Sequence, residues 1–215
     1  MTEANSQPGS VQGELLDLGR LFDDAVRKRP GMYFGASRES VQFATQVLCS
    51  VLGHALHPAT TVAPAHTLRA SAQISADLAF SVLDDQANPF DGQGLPRLGY
   101  CGSLLGPDRW ISAAAAAVGS CVNVEVWREG RRFHQELAGL RPVGPPEELE
   151  AKDDGCGTRV TFELDPVYFG ESASISTELG SPDLHGPHCS EPSGPGYVEI
   201  RDLRRRDRPG EFRFL

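Results

Sequence analysis

The chain has little of what marks a membrane, metal or nucleic-acid protein. Its five cysteines (Cys49, Cys101, Cys121, Cys156 and Cys189) are odd in number, scattered and free of any C-x-x-C pair. That argues against a disulfide framework or a zinc site, and for reduced thiols in a cytoplasmic protein. His185, His188 and Cys189 lie close together but lack paired ligand spacing, so no metal set is assigned. No apolar run approaches the roughly 20 residues that cross a bilayer. The opening MTEANSQPGSVQG has neither the basic nor the apolar region of a signal peptide, and residues 1–13 read as a flexible tail. Positive charge is in deficit, 20 Lys and Arg against 29 Asp and Glu for a formal charge of −9. Phosphate neutralisation needs a concentrated basic surface, so general nucleic-acid binding is not expected. No Ser-His-Asp or Cys-His signature is present, and no catalytic residue is assigned.

What remains is an ordinary globular composition, 40% hydrophobic over 215 residues, sufficient for one domain over 14–215. Leu15, Leu18, Phe22 and Val26 make a helical stripe over 14–29, with basic residues at its C-terminal end. Pro30-Gly31 stops that helix. A second helix is expected over 41–56, with Ser37 or Ser40 as its cap and Phe43, Val47, Leu48, Val51, Leu52 and Ala55 as its apolar positions. Alternation over 67–83 predicts a hairpin turning near 75–77. Residues 84–106 read as loop, and the five alanines within 110–118 predict a helix. Two alternating runs over 122–137 flank a Glu129-Gly130 turn. Residues 142–157 read as a polar connection and 158–164 as a strand closed by Asp165-Pro166. A Ser, Gly and Pro-rich loop is expected over 171–196, followed by a hairpin over 197–215. Arg201, Arg204, Arg205, Arg206 and Arg208 read there as a solvated edge.

Four of these stretches carry a resemblance. Val26-Arg-Lys-Arg-Pro-Gly-Met-Tyr-Phe-Gly35 closely resembles the V-R-K-R-P-G-M-Y-I-G signature near the start of the ATPase domain of DNA gyrase B and topoisomerase IV subunits, in the GHKL superfamily. Trp127-Arg-Glu-Gly-Arg-Arg-Phe-His-Gln135 is similar to that family's Q-R-E-G-K hairpin. Gly157-Thr-Arg-Val-Thr-Phe162, with Asp165-Pro and Phe169 after it, looks like its G-T-x-V-x-F strand, and Val198-Glu-Ile-Arg-Asp-Leu203 like its final V-x-I-x-L-x-D region. The resemblance implies an α+β two-layer sandwich of the Bergerat type, with helices on one face of a mixed, largely antiparallel sheet.

It also implies where a nucleotide would sit, and the residues there have changed. Where the family reads E-V-V-D-N-A-x-D-E-A-L, this chain reads Gln46-Val-Leu-Cys-Ser-Val-Leu-Gly-His-Ala-Leu56. Gln46 stands in place of the water-activating glutamate, and an amide has no basic lone pair for that task. Ser50 replaces the asparagine that would hold Mg²⁺, which makes magnesium doubtful. Asp84 would accept the adenine amino group, with Thr158 supporting it and Arg128 at the pocket mouth. Asp91-Gly-Gln-Gly-Leu-Pro96 matches the rest of the family's D-D-G-R-G-I-P loop, so Gly92 and Gly94 would let the backbone approach the base. Gln86-Ala-Asn-Pro-Phe90 looks like an insertion within that loop. Whether Asp84 or Asp91 faces a ligand, or the loop is simply redesigned, stays open. The phosphate turn G-G-x-H-G-V-G is replaced by Gly102-Ser-Leu-Leu-Gly-Pro-Asp-Arg-Trp110. There Pro107 removes a donor, Asp108 adds a negative charge, and Arg109 either offsets that charge in part or reads as a solvated loop cation.

The resemblance therefore implies a stand-alone, catalytically degenerate ATPase domain that binds a protein partner or a small ligand, with ATP or ADP weakly supported. No dimerising arm is recognisable in residues 1–13, so a monomer or a different dimer is expected. The alternative is an enzyme that reuses the old pocket, with His54, Asp84, Asp91 and Asp108 as acids and bases. An accessory role in specialised metabolism or resistance is a third reading.

Overall fold

A computed structural model describes residues 21–55, 68–150, 155–176, 196–204 and 210–214. The expected tail and most of the 171–196 loop lie outside the described residues, as do His185, His188, Cys189 and the Arg208 turn.

The described residues open with helix α1 at 21–28, followed by a single turn α2 (Gly31–Phe34) and α3 (Phe43–Ala55). A hairpin of β1 (Leu68–Ala76) and β2 (Ala79–Asp84) follows. A loop then leads to α4 (Trp110–Ala117), β3 (Gly119–Arg128) and β4 (Arg131–Ala138). Two short strands come next, β5 (Arg141–Pro142) and β6 (Glu147–Leu149). The described chain closes with β7 (Gly157–Leu164), the turn of helix α5 (Pro166–Phe169), β8 (Gly196–Asp202) and β9 (Gly210–Phe214).

The strands form one sheet in the order β5-β4-β3-β7-β2-β1-β8-β9, with β6 also pairing with β4. The β1–β8 pair is parallel and the other ladders are antiparallel, so the sheet is mixed. Helices α3 and α4 pack on each other and against the central strands. The molecule is thus an α+β two-layer arrangement of helices on a mixed sheet. The 142–157 stretch differs from its reading as plain connection: Glu147–Leu149 pairs with Arg132–His134 and covers part of the β4 edge.

Strand parity explains the core. Side chains alternate across a sheet, so Phe80 and Val82 on β2 point to the same layer as Val160, Phe162 and Leu164 on β7 and Val122, Val124 and Val126 on β3, and all are buried. Against them lie Phe43, Val47, Leu48 and Leu52 of α3 and the run Ala113–Ala117 of α4. Side chains as small as alanine let α4 sit close to both the sheet and α3. The β3–β4 turn places Glu129 at φ 54° and Gly130 at φ 73°, the two positive φ values of a type I′ hairpin.

The Arg27–Tyr33 wording does structural work. Arg27 Nε donates to Ala117 O at 2.8 Å, and both Arg27 Nη atoms reach Asp165 Oδ2 at 3.1 Å. Tyr168 Oη donates back to Arg27 O at 2.9 Å. The Arg27 and Arg38 guanidinium groups lie 4.9 and 4.6 Å from the centroid of the Tyr168 ring, within cation–π range. Asp165 in turn caps α5 through the Val167 N–H at 2.9 Å. The first and third stretches of the resemblance are therefore one clamp in space.

At the far edge, Arg204 is less solvated than its run suggests. It binds Asp202 at 2.6 Å and donates to Ile175 O at 2.8 Å.

Candidate functional site

Asp84 ends β2 at the parity of Phe80 and Val82, so the strand carries its carboxylate into the core, where the residue is only 4% exposed. A buried carboxylate needs a partner. That partner is Arg109, which immediately precedes α4. Arg109 Nη1 donates to Asp84 Oδ2 at 2.7 Å and Nη2 to Asp84 Oδ1 at 2.8 Å. Nη2 also donates to Gln86 O at 3.0 Å. Arg109 is 6% exposed, which corrects its reading as a solvated loop cation. Burial is the largest single influence on this guanidinium and lowers its pKa. The Asp84 charge and hydrogen bonds, with smaller help from Cys156 and Asp108, together carry it above its ordinary value.

The residues that read as an insertion build this site. Gln86, Ala87 and Asn88 are all buried. Gln86 Nε2 donates to Ala55 O at 2.9 Å, tying the loop to the end of α3, and Thr158 Oγ1 donates to Gln86 O at 2.7 Å. Asp84 and Thr158 stand at paired positions of β2 and β7, and Gln86 O accepts from both Thr158 Oγ1 and Arg109 Nη2. The remaining space is a cavity of about 10 Å³ lined by Val51, His54, Ala55, Val82, Asp84, Gln86, Asp108, Arg109, Ser112 and Val160. That is room for about one water, where small-molecule sites run to roughly 300–1,000 Å³.

The other expected residues are elsewhere. Gln46 and Ser50 lie on α3 and are not among the residues lining the cavity. Asp91 is exposed; its Oδ1 accepts from the N–H groups of Leu95 at 3.0 Å and Gln93 at 2.8 Å, and these bonds hold its pKa low. Gly92 and Gly94 belong to that same turn, which Arg131 fastens from β4 through Gln93 O and Gly94 O. Arg128 sits at the β3–β4 turn, paired with Glu129 at 3.1 Å. His54 does line the cavity, and its ring meets Trp110 edge-on with centroids 5.2 Å apart.

The segment aligned above with the family's phosphate turn is packed shut at its centre. Leu104 and Leu105 are fully buried. The Leu104 N–H donates to Gln135 Oε1 at 2.8 Å, and Leu104 O accepts from Asn88 Nδ2 at 2.7 Å. The Leu105 N–H meets Ser103 Oγ at 3.2 Å. Backbone donors used internally in this way do not point at an anion. On the other side of the sheet, Arg69, Ser71, Leu83, Asp85, Trp127 and Cys156 line a larger, open groove of about 280 Å³. Burial pushes the Cys156 thiol up.

The missed residues were Arg109 and Gln86. A signal for Arg109 existed, because the β2 parity that buries Asp84 demands a cation nearby. Nothing in the local pattern says which arginine supplies it. Among the described residues no helix is long and apolar enough to cross a membrane, and no group of three or more His, Cys, Asp or Glu is placed to hold a metal ion. No protein-family model matches the chain, and no curated protein matches it.

Proposed function

We propose that this chain is a non-hydrolysing relative of the gyrase B ATPase domain, of GHKL type, that works as a binding module. The observation that carries this reading is the Arg109–Asp84 pair, which occupies the carboxylate that the resemblance assigns to the adenine amino group and leaves about 10 Å³ beside it. Three further features support it. Gln46 replaces the general base, Ser50 replaces the magnesium ligand, and the Leu104 and Leu105 N–H groups are already bonded. The four sequence matches give the kinship, and the helices-on-sheet architecture agrees with it. With the inner cavity closed, the 280 Å³ groove beside Trp127 is the roomier place for a small ligand.

The competing reading, an enzyme that reuses the pocket through His54, Asp84, Asp91 and Asp108, needs an enclosed space for a substrate. The same filled cavity weighs against it, as does the exposure of Asp91 and Asp108.

The test is a thermal-shift series on the wild-type protein with ATP, ADP and an aminocoumarin, with and without Mg²⁺, alongside a phosphate-release assay. The expected result is no shift and no turnover, because a ligand that binds only the native state raises the melting temperature. Mg²⁺-dependent ATP turnover that disappears in S50A overturns the reading.

A further inference from the structure

Arg109 is held as a ligand would be held. Its two Nη atoms meet three acceptors, Asp84 Oδ2, Asp84 Oδ1 and Gln86 O, at 2.7, 2.8 and 3.0 Å. The acceptors come from the end of β2, whereas the guanidinium arrives from a separate segment that leads into α4. The cradle is also braced independently of Arg109. The Gln86 N–H donates to Asp84 Oδ1 at 3.0 Å, Thr158 Oγ1 donates to Gln86 O at 2.7 Å, and the Gln86 side chain is anchored on Ala55 O at 2.9 Å.

The segment carrying Arg109 is held by bonds of its own, separate from the cradle: the Arg109 N–H donates to Gly106 O at 2.9 Å and Tyr100 Oη to Pro107 O at 3.1 Å. Arg109 has non-helical dihedrals (φ −109°, ψ 41°) and makes no side-chain cap to α4. Pro107 and Asp108 just before it are exposed. Its Nε is buried with no hydrogen-bond partner among the described residues, although the residue is 94% buried. Val51, Val82 and Val160 line the same cavity and give it an apolar side.

We propose that Asp84 and Gln86 form a subsite for a planar amidinium or guanidinium group, which Arg109 occupies in cis as an autoinhibitory contact. Once Arg109 is withdrawn, the subsite takes a small aryl amidine or alkyl guanidine. Three converging acceptors select a delocalised cation with N–H bonds on adjacent edges. They disfavour a neutral aminopurine edge, whose ring nitrogen would set acceptor against acceptor. The proposal deepens the sealed-pocket reading and shares with it the identification of Arg109 as the seal. Nucleotide titration of the wild type tests that reading, while amidine titration of an opened variant tests this one.

The experiment compares wild type, R109A and D84N/R109A by thermal unfolding at pH 7.5 and constant ionic strength. The probes are benzamidine, methylguanidinium, methylammonium and adenine. Benzamidine and methylguanidinium are expected to raise the melting temperature of R109A by roughly 5 °C at a hundred-fold excess over Kd. Methylammonium and adenine are expected to leave it unchanged, and neither the wild type nor D84N/R109A should respond to any probe. If R109A alone shows no cooperative transition, the appearance of one on adding benzamidine supports the proposal and its absence overturns it. An equal response to methylammonium, or a response that persists in D84N/R109A, also overturns it.

Discussion

Arg109 closes on Asp84 through two parallel hydrogen bonds of 2.7 and 2.8 Å, with side chains only 7% and 2% exposed. Breaking such a pair from one side strands a buried charge, which costs about 3–5 kcal/mol, whereas replacing both partners with apolar groups is far less damaging. D84N and R109M should therefore each be strongly destabilised in urea unfolding, with much of the loss recovered in D84L/R109M. Single losses below about 1 kcal/mol would show that the pair is solvated.

On the proposed kinship, the closed cavity and the missing base and magnesium ligand make separable claims about ATP. If only the base and that ligand were lacking, Q46E/S50N would recover turnover. With Arg109 in the pocket and the Leu104 N–H on Gln135, the double variant should release phosphate no faster than buffer. Turnover above background in Q46E/S50N would mean the cavity opens readily in solution.

Arg27 joins three elements at once, through Ala117 O, Asp165 and the Tyr168 ring. The ion pair is partly exposed, with side chains 35% and 20% accessible, and on its own contributes little. The bond to a backbone carbonyl and the ring contact add to it. R27A should lose about 1–3 kcal/mol, and R27K should recover only a minor part because ammonium cannot reproduce the forked contacts. Equal stability of R27K and wild type in chemical denaturation would refute this.

Gly157 lies beneath the indole of Trp127, where a Cβ would run into the ring and would come 2.7 Å from Asp84 O. The indole could shift at some cost, but the backbone oxygen belongs to the β2–β7 ladder and cannot move alone. G157A should destabilise by about 1–3 kcal/mol and should shift the emission of Trp127, read in a W110F background. Unchanged stability would place the ring elsewhere.

Asp23 supplies a pH test. Burial raises its pKa most strongly; Arg141 and Arg27 oppose this and Asp24 adds to it, leaving the value above 3.8. Its Oδ1 is buried without a partner among the described residues. The folded state therefore keeps this proton to higher pH than the unfolded state does. The ionised side chain costs stability above the raised value, and the cost fades as pH falls toward 3.8. D23N should stabilise the protein at pH 7 and lose that advantage near pH 3.5. A gain of the same size at both pH values would show that ionisation is not the cause.

Local physics settled much of this protein in advance. Apolar spacing marked α3, alternation marked the β1–β2 and β3–β4 hairpins, and Glu129-Gly130 marked the turn between the latter, because these depend on residues a few positions apart. Parity along β2 even implied that Asp84 is buried. Which cation answers it depended on how the 103–109 segment folds over the sheet, and no neighbour-to-neighbour rule reports that. The same holds for Gln86, a polar residue in a loop-like stretch that becomes core only because α3 ends beside it. Short-range pattern fixed the elements, while the partner of the buried charge, and with it the closing of the cavity, was decided where distant segments pack together.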